Sequence, residues 1–204
     1  KLLGGSIGFY GSTLNTRQYA TKGYLEKLIA QVFTGRERFE PGNPQEGYSP
    51  SPQERQSWLQ ISYMKEAYHT MGPKFTLGWM AEALYSSKNF SENYTATMMQ
   101  AGEFAPTPHS KLMYNEAFRA NQYVAAGIKP IYVLNDMFQF RTEFYGFTPI
   151  FPIKKNALNK AYYGKAFSRF EYMGEVSVIC HLPFGAISAY VNHYSSPRRE
   201  WNVG

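Results

Sequence analysis

Over most of the chain, apolar and polar positions alternate with a period of two, the spacing of a strand with one apolar face. The clearest case is Lys74–Tyr85. Phe75, Leu77, Trp79, Ala81, Ala83 and Tyr85 fall on one face, with Lys74, Thr76, Gly78 and Glu82 on the other. Phe138–Phe147 sets Phe138, Phe140, Thr142 and Phe144 against Gln139, Arg141 and Glu143. Ala166–Leu182 sets Phe170, Tyr172, Val176, Val178, Cys180 and Leu182 against Glu171, Glu175, Ser177 and His181. Gly5–Leu14, Ser57–His69, Gln122–Leu134 and Ala186–Tyr194 also read as strands, and Trp201 begins a ninth. Tyr24–Thr34 alternates imperfectly, but its flanking glycines and its β-branched and aromatic residues favour strand over helix.

The connections follow a rhythm of their own. Short turns at residues 15–23, 70–73, 135–137 and 183–185 separate long polar loops at 35–55, 148–165 and 195–200. The stretch Ser91–Gly127 resists a strand reading for most of its length and is too apolar and aromatic to read as disordered. Strands of about ten residues joined alternately by short turns and long loops are the signature of an outer-membrane barrel, whose long loops lie outside the cell. The charges on each strand's polar face suit a wet or plugged lumen better than a dry core. The expected fold class is therefore all-β, an antiparallel transmembrane β-barrel present in part. A closed bacterial barrel has an even strand number and no open edge. Nine strands, in a chain starting mid-pattern at Lys1-Leu2-Leu3, lead to the expectation that residues 1–204 are the C-terminal part of one barrel completed by upstream strands. A soluble all-β binding module, with the apolar face turned inward, has the same alternation.

Composition sharpens this reading only slightly. Aromatics make up 17% of the chain, including 17 Tyr and 15 Phe, which fits either a sandwich or the aromatic girdles of a membrane barrel. Mean hydropathy is negative, and no run reaches the length of a membrane helix. Asp136 is the only aspartate among 15 acidic residues, an unusual shortage for a domain rich in exposed turns. The lone Cys180 excludes an internal disulfide and reads as an apolar strand residue.

The segment NYTATMMQAGEFAPTPHSKLMYNEAFRANQYVAAGIKPIY, with NTRQYATKG and TGRERFEPG earlier in the chain, resembles the C-terminal barrel of Bacteroidetes-type patatin-like phospholipases. Such barrels are similar to the bacterial surface-antigen superfamily, which includes assembly factors and secretion transporters. Those barrels have sixteen strands, and an extracellular loop carrying an Arg-Gly-aromatic motif enters the lumen just before the twelfth. Here Phe118-Arg119-Ala120-Asn121 stands in that place with five strands after it, and Ala120 departs from the Gly. The resemblance implies that Arg119, beside Phe118, anchors the loop against an acid on the inner wall, Glu171 or Glu175. It also implies a lipid acyl hydrolase domain upstream, held at or passed across the outer membrane by the barrel. A barrel of an assembly or secretion transporter without an enzyme is the alternative.

Little in the residues themselves points to chemistry. Gly4-Gly5-Ser6-Ile7-Gly8 matches G-x-S-x-G, but strand and turn follow it, not the helix of a nucleophile elbow. His69, His109, His181 and His193 lie on separate segments, without metal-ligand spacing to one another. The expectation is thus no catalytic residue and no cofactor or metal within this segment. Net charge is +6, carried mainly on loops and not on an aromatic strand face, which argues against nucleic acid. Loop cations such as Arg36, Arg38, Lys154, Lys155, Arg198 and Arg199 suit lipopolysaccharide phosphates. The expected partners are outer-membrane lipid, lipopolysaccharide and the upstream hydrolase domain, with a homodimer as a further option.

Overall fold

The structure, a computed structural model, describes residues 2–37, 54–196 and 201–203. Its nine-stranded antiparallel sheet is a simple meander, with every strand paired to the next in the chain. The strands are β1 (Leu2–Ser12), β2 (Gly23–Glu37), β3 (Glu54–Thr70), β4 (Phe75–Ser86), β5 (Gln122–Val133), β6 (Phe138–Pro149), β7 (Glu171–Leu182), β8 (Gly185–Tyr194) and the short β9 (Trp201–Val203). The protein is all-β, as the alternation predicts. The sheet is open: among the described residues β1 pairs only with β2, and β9 only with β8.

Several boundaries differ from the expected ones. The first strand ends at Ser12, because Thr13 and Leu14 peel into a turn that closes on Gly23. Gly23 has φ +89°, and a Cβ there would lie 2.1 Å from the Thr13 carbonyl oxygen, so only glycine closes this turn. The loop expected at 35–55 is shorter: Gly35, Arg36 and Glu37 pair with Gln56, Arg55 and Glu54, and residues 38–53 lie outside the described residues. The strand expected from Ala166 begins only at Glu171, because Phe167 adopts φ +50° and bonds back to the Ile150 carbonyl. The loop at 148–165 holds a small ribbon, Ile153–Lys155 with Ala161–Tyr163. Residues 197–200 of the last loop, Arg198 and Arg199 among them, lie outside the described residues, as does Arg38.

The two faces of the sheet are inverted relative to a soluble sandwich. On β6, Gln139, Arg141 and Glu143 are at most 5% exposed, whereas Phe138, Phe140 and Phe144 are 38–53% exposed. The same holds on β7, where Glu175 and Ser177 are buried and Tyr172, Val176 and Val178 are exposed. On β5, Lys129 is buried while Val124, Ile128 and Tyr132 are not. The polar face is also concave. A flat sheet would put the β1–β2 turn roughly 30 Å from β8, at ~4.8 Å per strand. Yet Tyr19 in that turn donates a hydrogen bond to Ser188 on β8 at 3.0 Å. The sheet therefore curls toward its polar face.

Candidate functional site: the filled concave face

Two segments fold into the concavity from opposite ends. The long connection between β4 and β5, residues 87–121, enters from one end and the β1–β2 turn from the other.

The long connection has its own architecture. Asn93 accepts a hydrogen bond from the Ala96 amide at 2.7 Å and caps α1 (Tyr94–Gln100). A two-residue ribbon pairs Glu103 with Arg119 and Gly102 with Ala120. Phe104 and Phe118 then fill the space between the segment and the wall. Phe104 meets Tyr123, Tyr145 and Phe147, and Phe118 meets Phe147 and Tyr194. Gly127 makes room for this layer, since a Cβ there would stand 2.1 Å from the Tyr145 ring. Burial raises the Tyr94 phenol well above its ordinary value, and its hydrogen bond to Glu116 adds to the effect.

Arg119 does not reach Glu171 or Glu175. Its Nη2 lies 2.6 Å from Glu103 Oε2, and its Nη1 donates to the carbonyls of Met98, Met99 and Ala101 at 3.2–3.4 Å. The guanidinium also lies 4.7 Å over the Tyr114 ring. The ribbon register sets Arg119 directly opposite Glu103, and the last carbonyls of α1 complete its shell. Arg119 thus ties the segment to itself, and the expected pairing with the wall is corrected accordingly.

The two wall acids hold the segment through other residues. Glu175 Oε1 lies 3.0 Å from Nδ1 of His109, whose ring stacks on Tyr190. His109 Nε2 stands 3.3 Å from Ser188 Oγ and 3.4 Å from the Tyr19 hydroxyl. Glu171 accepts from Arg169 at 2.9 Å, and Arg169 donates in turn to the Ala117 carbonyl, next to Phe118. The order Glu175–His109–Ser188 has the sequence of roles of an acyl-transfer triad. Tyr190 covers the ring and Tyr19 occupies the serine, so in this state the groups act as a clasp, with Glu175 Oε2 buried and unpartnered.

At the other end, Arg141 Nη1 donates to the Ala20 carbonyl at 2.9 Å, and Gln139 donates to that of Tyr19 at 3.1 Å. Burial raises the Tyr19 phenol above its ordinary value. Behind the turn lies a charged cluster: Arg141 with Glu143 at 2.9 Å and Lys129 with Glu66 at 2.7 Å. Tyr68 donates to Glu66 and Tyr145 to Glu143. Each buried charge therefore has an opposite partner, the condition under which burial is tolerated. Between the two inserted segments remains a cavity of about 1210 Å³, lined by Lys27, Glu82, Lys111, Lys129 and Glu143 among others.

Sequence reasoning named Phe118, Arg119, Glu171 and Glu175 but missed His109, Arg169, Glu103 and the inward turn. The helix α1 was not anticipated either, although an asparagine cap such as Asn93 is a local signal that could have found it. The partners of His109 lie 66 or more residues away and leave no local signal. Ser6 lies in mid-strand, paired with Gln31, with no strand-to-helix turn. Among the described residues no group of three or more His, Cys, Asp or Glu is placed to hold a metal ion. No protein-family model, curated protein or solved structure matches the chain.

Proposed function

We propose that this chain is the C-terminal part of an outer-membrane β-barrel that anchors, or translocates, a patatin-like lipid acyl hydrolase domain. The observation that carries the membrane reading is the inverted sheet, with phenylalanines exposed and Arg141, Glu143, Lys129 and Glu175 buried. In water, such a face would cost about 25 cal/mol for each Å² of apolar surface left exposed. In a bilayer it is the favourable arrangement, and the ten to twelve residues of β1 and β4–β8 span a hydrocarbon core when tilted. The open edges at β1 and β9 support further strands closing the sheet. The segment 87–121, folded into the concavity, supports the surface-antigen type of barrel, with this segment as a plug. The hydrolase partner rests on the sequence resemblance alone, carried by residues 93–132 together with 15–23 and 34–42.

On this reading the long-loop end faces outward, where Lys154 and Lys155 are exposed and suit lipopolysaccharide phosphates. The chain expressed with its full reading frame should require detergent and show a heat-modifiable gel shift. A protein that stays in solution without detergent and shows no such shift would contradict the membrane reading.

A further inference from the structure

Resting on the membrane reading, one feature of the outer face breaks its apolar character. Glu26 on β2 and Lys65 on β3 are direct cross-strand partners on that face, with Oε2 and Nζ 3.6 Å apart. Tyr63 donates to Glu26 Oε1 at 2.6 Å. Their neighbours across the sheet are small or apolar: Lys65 faces Ala81, and Ala81 faces Ala126. The adjoining row toward the short turns is Tyr24, Ala67, Trp79 and Ile128, and Trp79 donates to His69 at 3.3 Å. A cavity of about 540 Å³ opens here, lined by Tyr24, Glu26, Lys65, Ala67, His69 and Trp79. A loose ion pair on a lipid-facing surface is costly and marks a functional site. Tyrosine and tryptophan beside it fit the headgroup level of a bilayer.

We infer that this cavity is a binding site for one zwitterionic phospholipid, its phosphate on Lys65 and its primary ammonium on Glu26. The site is neutral as a pair, so a lipid carrying both charges satisfies both groups, whereas an anionic headgroup would face Glu26. Glu26 is a hydrogen-bond acceptor, which selects a primary ammonium over a trimethylated one. Ala81 and Ala126, adjacent across the sheet, leave room for an acyl chain to lie against it.

The test is native mass spectrometry of the full-length, detergent-purified protein with added phosphatidylethanolamine, phosphatidylcholine or phosphatidylglycerol. The wild type should retain phosphatidylethanolamine about tenfold better than either competitor. Lys65→Gln should abolish that preference, and Glu26→Gln should transfer it to phosphatidylglycerol by leaving Lys65 unopposed. The heat-modifiable shift of each variant checks folding, and two independent variants keep the test decisive. Equal retention of the three lipids by the wild type would overturn the inference. So would a lipid-free doubled mass that Lys65→Gln abolishes, since the occupant would then be a second copy. A protein that needs detergent but shows no lipid preference loses this site alone, whereas one soluble without detergent loses the membrane reading itself.

Discussion

His109 Nδ1 lies 3.0 Å from Glu175 Oε1, joining a residue of the inserted segment to the wall across 66 positions of sequence. Around this contact the segment, the wall and the β1–β2 turn converge, through Ser188, Tyr190 and Tyr19. Hydrogen bonds to a charged partner contribute about 1.5–3 kcal/mol. His109→Ala should therefore raise amide exchange in residues 104–118 by at least tenfold while leaving β5–β8 protected. Exchange measured by mass spectrometry would show it, and unchanged protection of the segment would mean that the clasp carries no load.

Arg119 should couple to Glu103 and not to the wall. A double-mutant cycle of Arg119→Ala with Glu103→Ala should give at least about 1 kcal/mol of coupling, as expected for partners in one network. The cycle of Arg119→Ala with Glu175→Ala should give close to zero. Because Arg119 also donates to the last carbonyls of α1, its removal should loosen residues 94–101.

The buried pair Arg141–Glu143 should behave asymmetrically. Arg141→Ala leaves Glu143 without its nearest opposite charge and should cost about 3–5 kcal/mol in urea unfolding from lipid vesicles. Replacing both residues by methionine should recover much of that loss, because no uncompensated charge remains.

The outer face should reject charge where the inner face accepts it. Phe144→Lys should destabilise the lipid-inserted protein by about 2–4 kcal/mol, the range for a charge near the bilayer midplane. A protein with that face in water would be unaffected or more soluble. Unfolding titrations in vesicles of the two proteins separate these outcomes.

Much of this architecture was legible in the sequence because a period of two is local. Arg141 and Glu143, or Phe140 and Phe144, take opposite sides on the evidence of spacing alone. Alternation alone did not give the direction of the curl, since it is the same for a sandwich and a barrel; the loop rhythm favoured a polar face turned inward, and Arg141 and Lys129 are buried on that face. The loop's anchor was misassigned for a related reason. The pairing of Arg119 with the wall was what the family resemblance implied, but its partner Glu103 is set by the register of a two-residue ribbon. His109 and the inward path of Tyr19 and Ala20 depend on the curl of the whole sheet, which no short window of residues encodes.

The central claim is that the phenylalanine face lies in lipid. With Cys180, the only cysteine, replaced by serine, spin labels can be placed singly at Phe140, Phe144, Val176 and the exposed loop residue Leu158. In reconstituted vesicles, the three strand sites should be relaxed strongly by oxygen and weakly by a water-soluble nickel complex, with Leu158 showing the reverse. Nickel access at Phe144 equal to that at Leu158 would contradict the account.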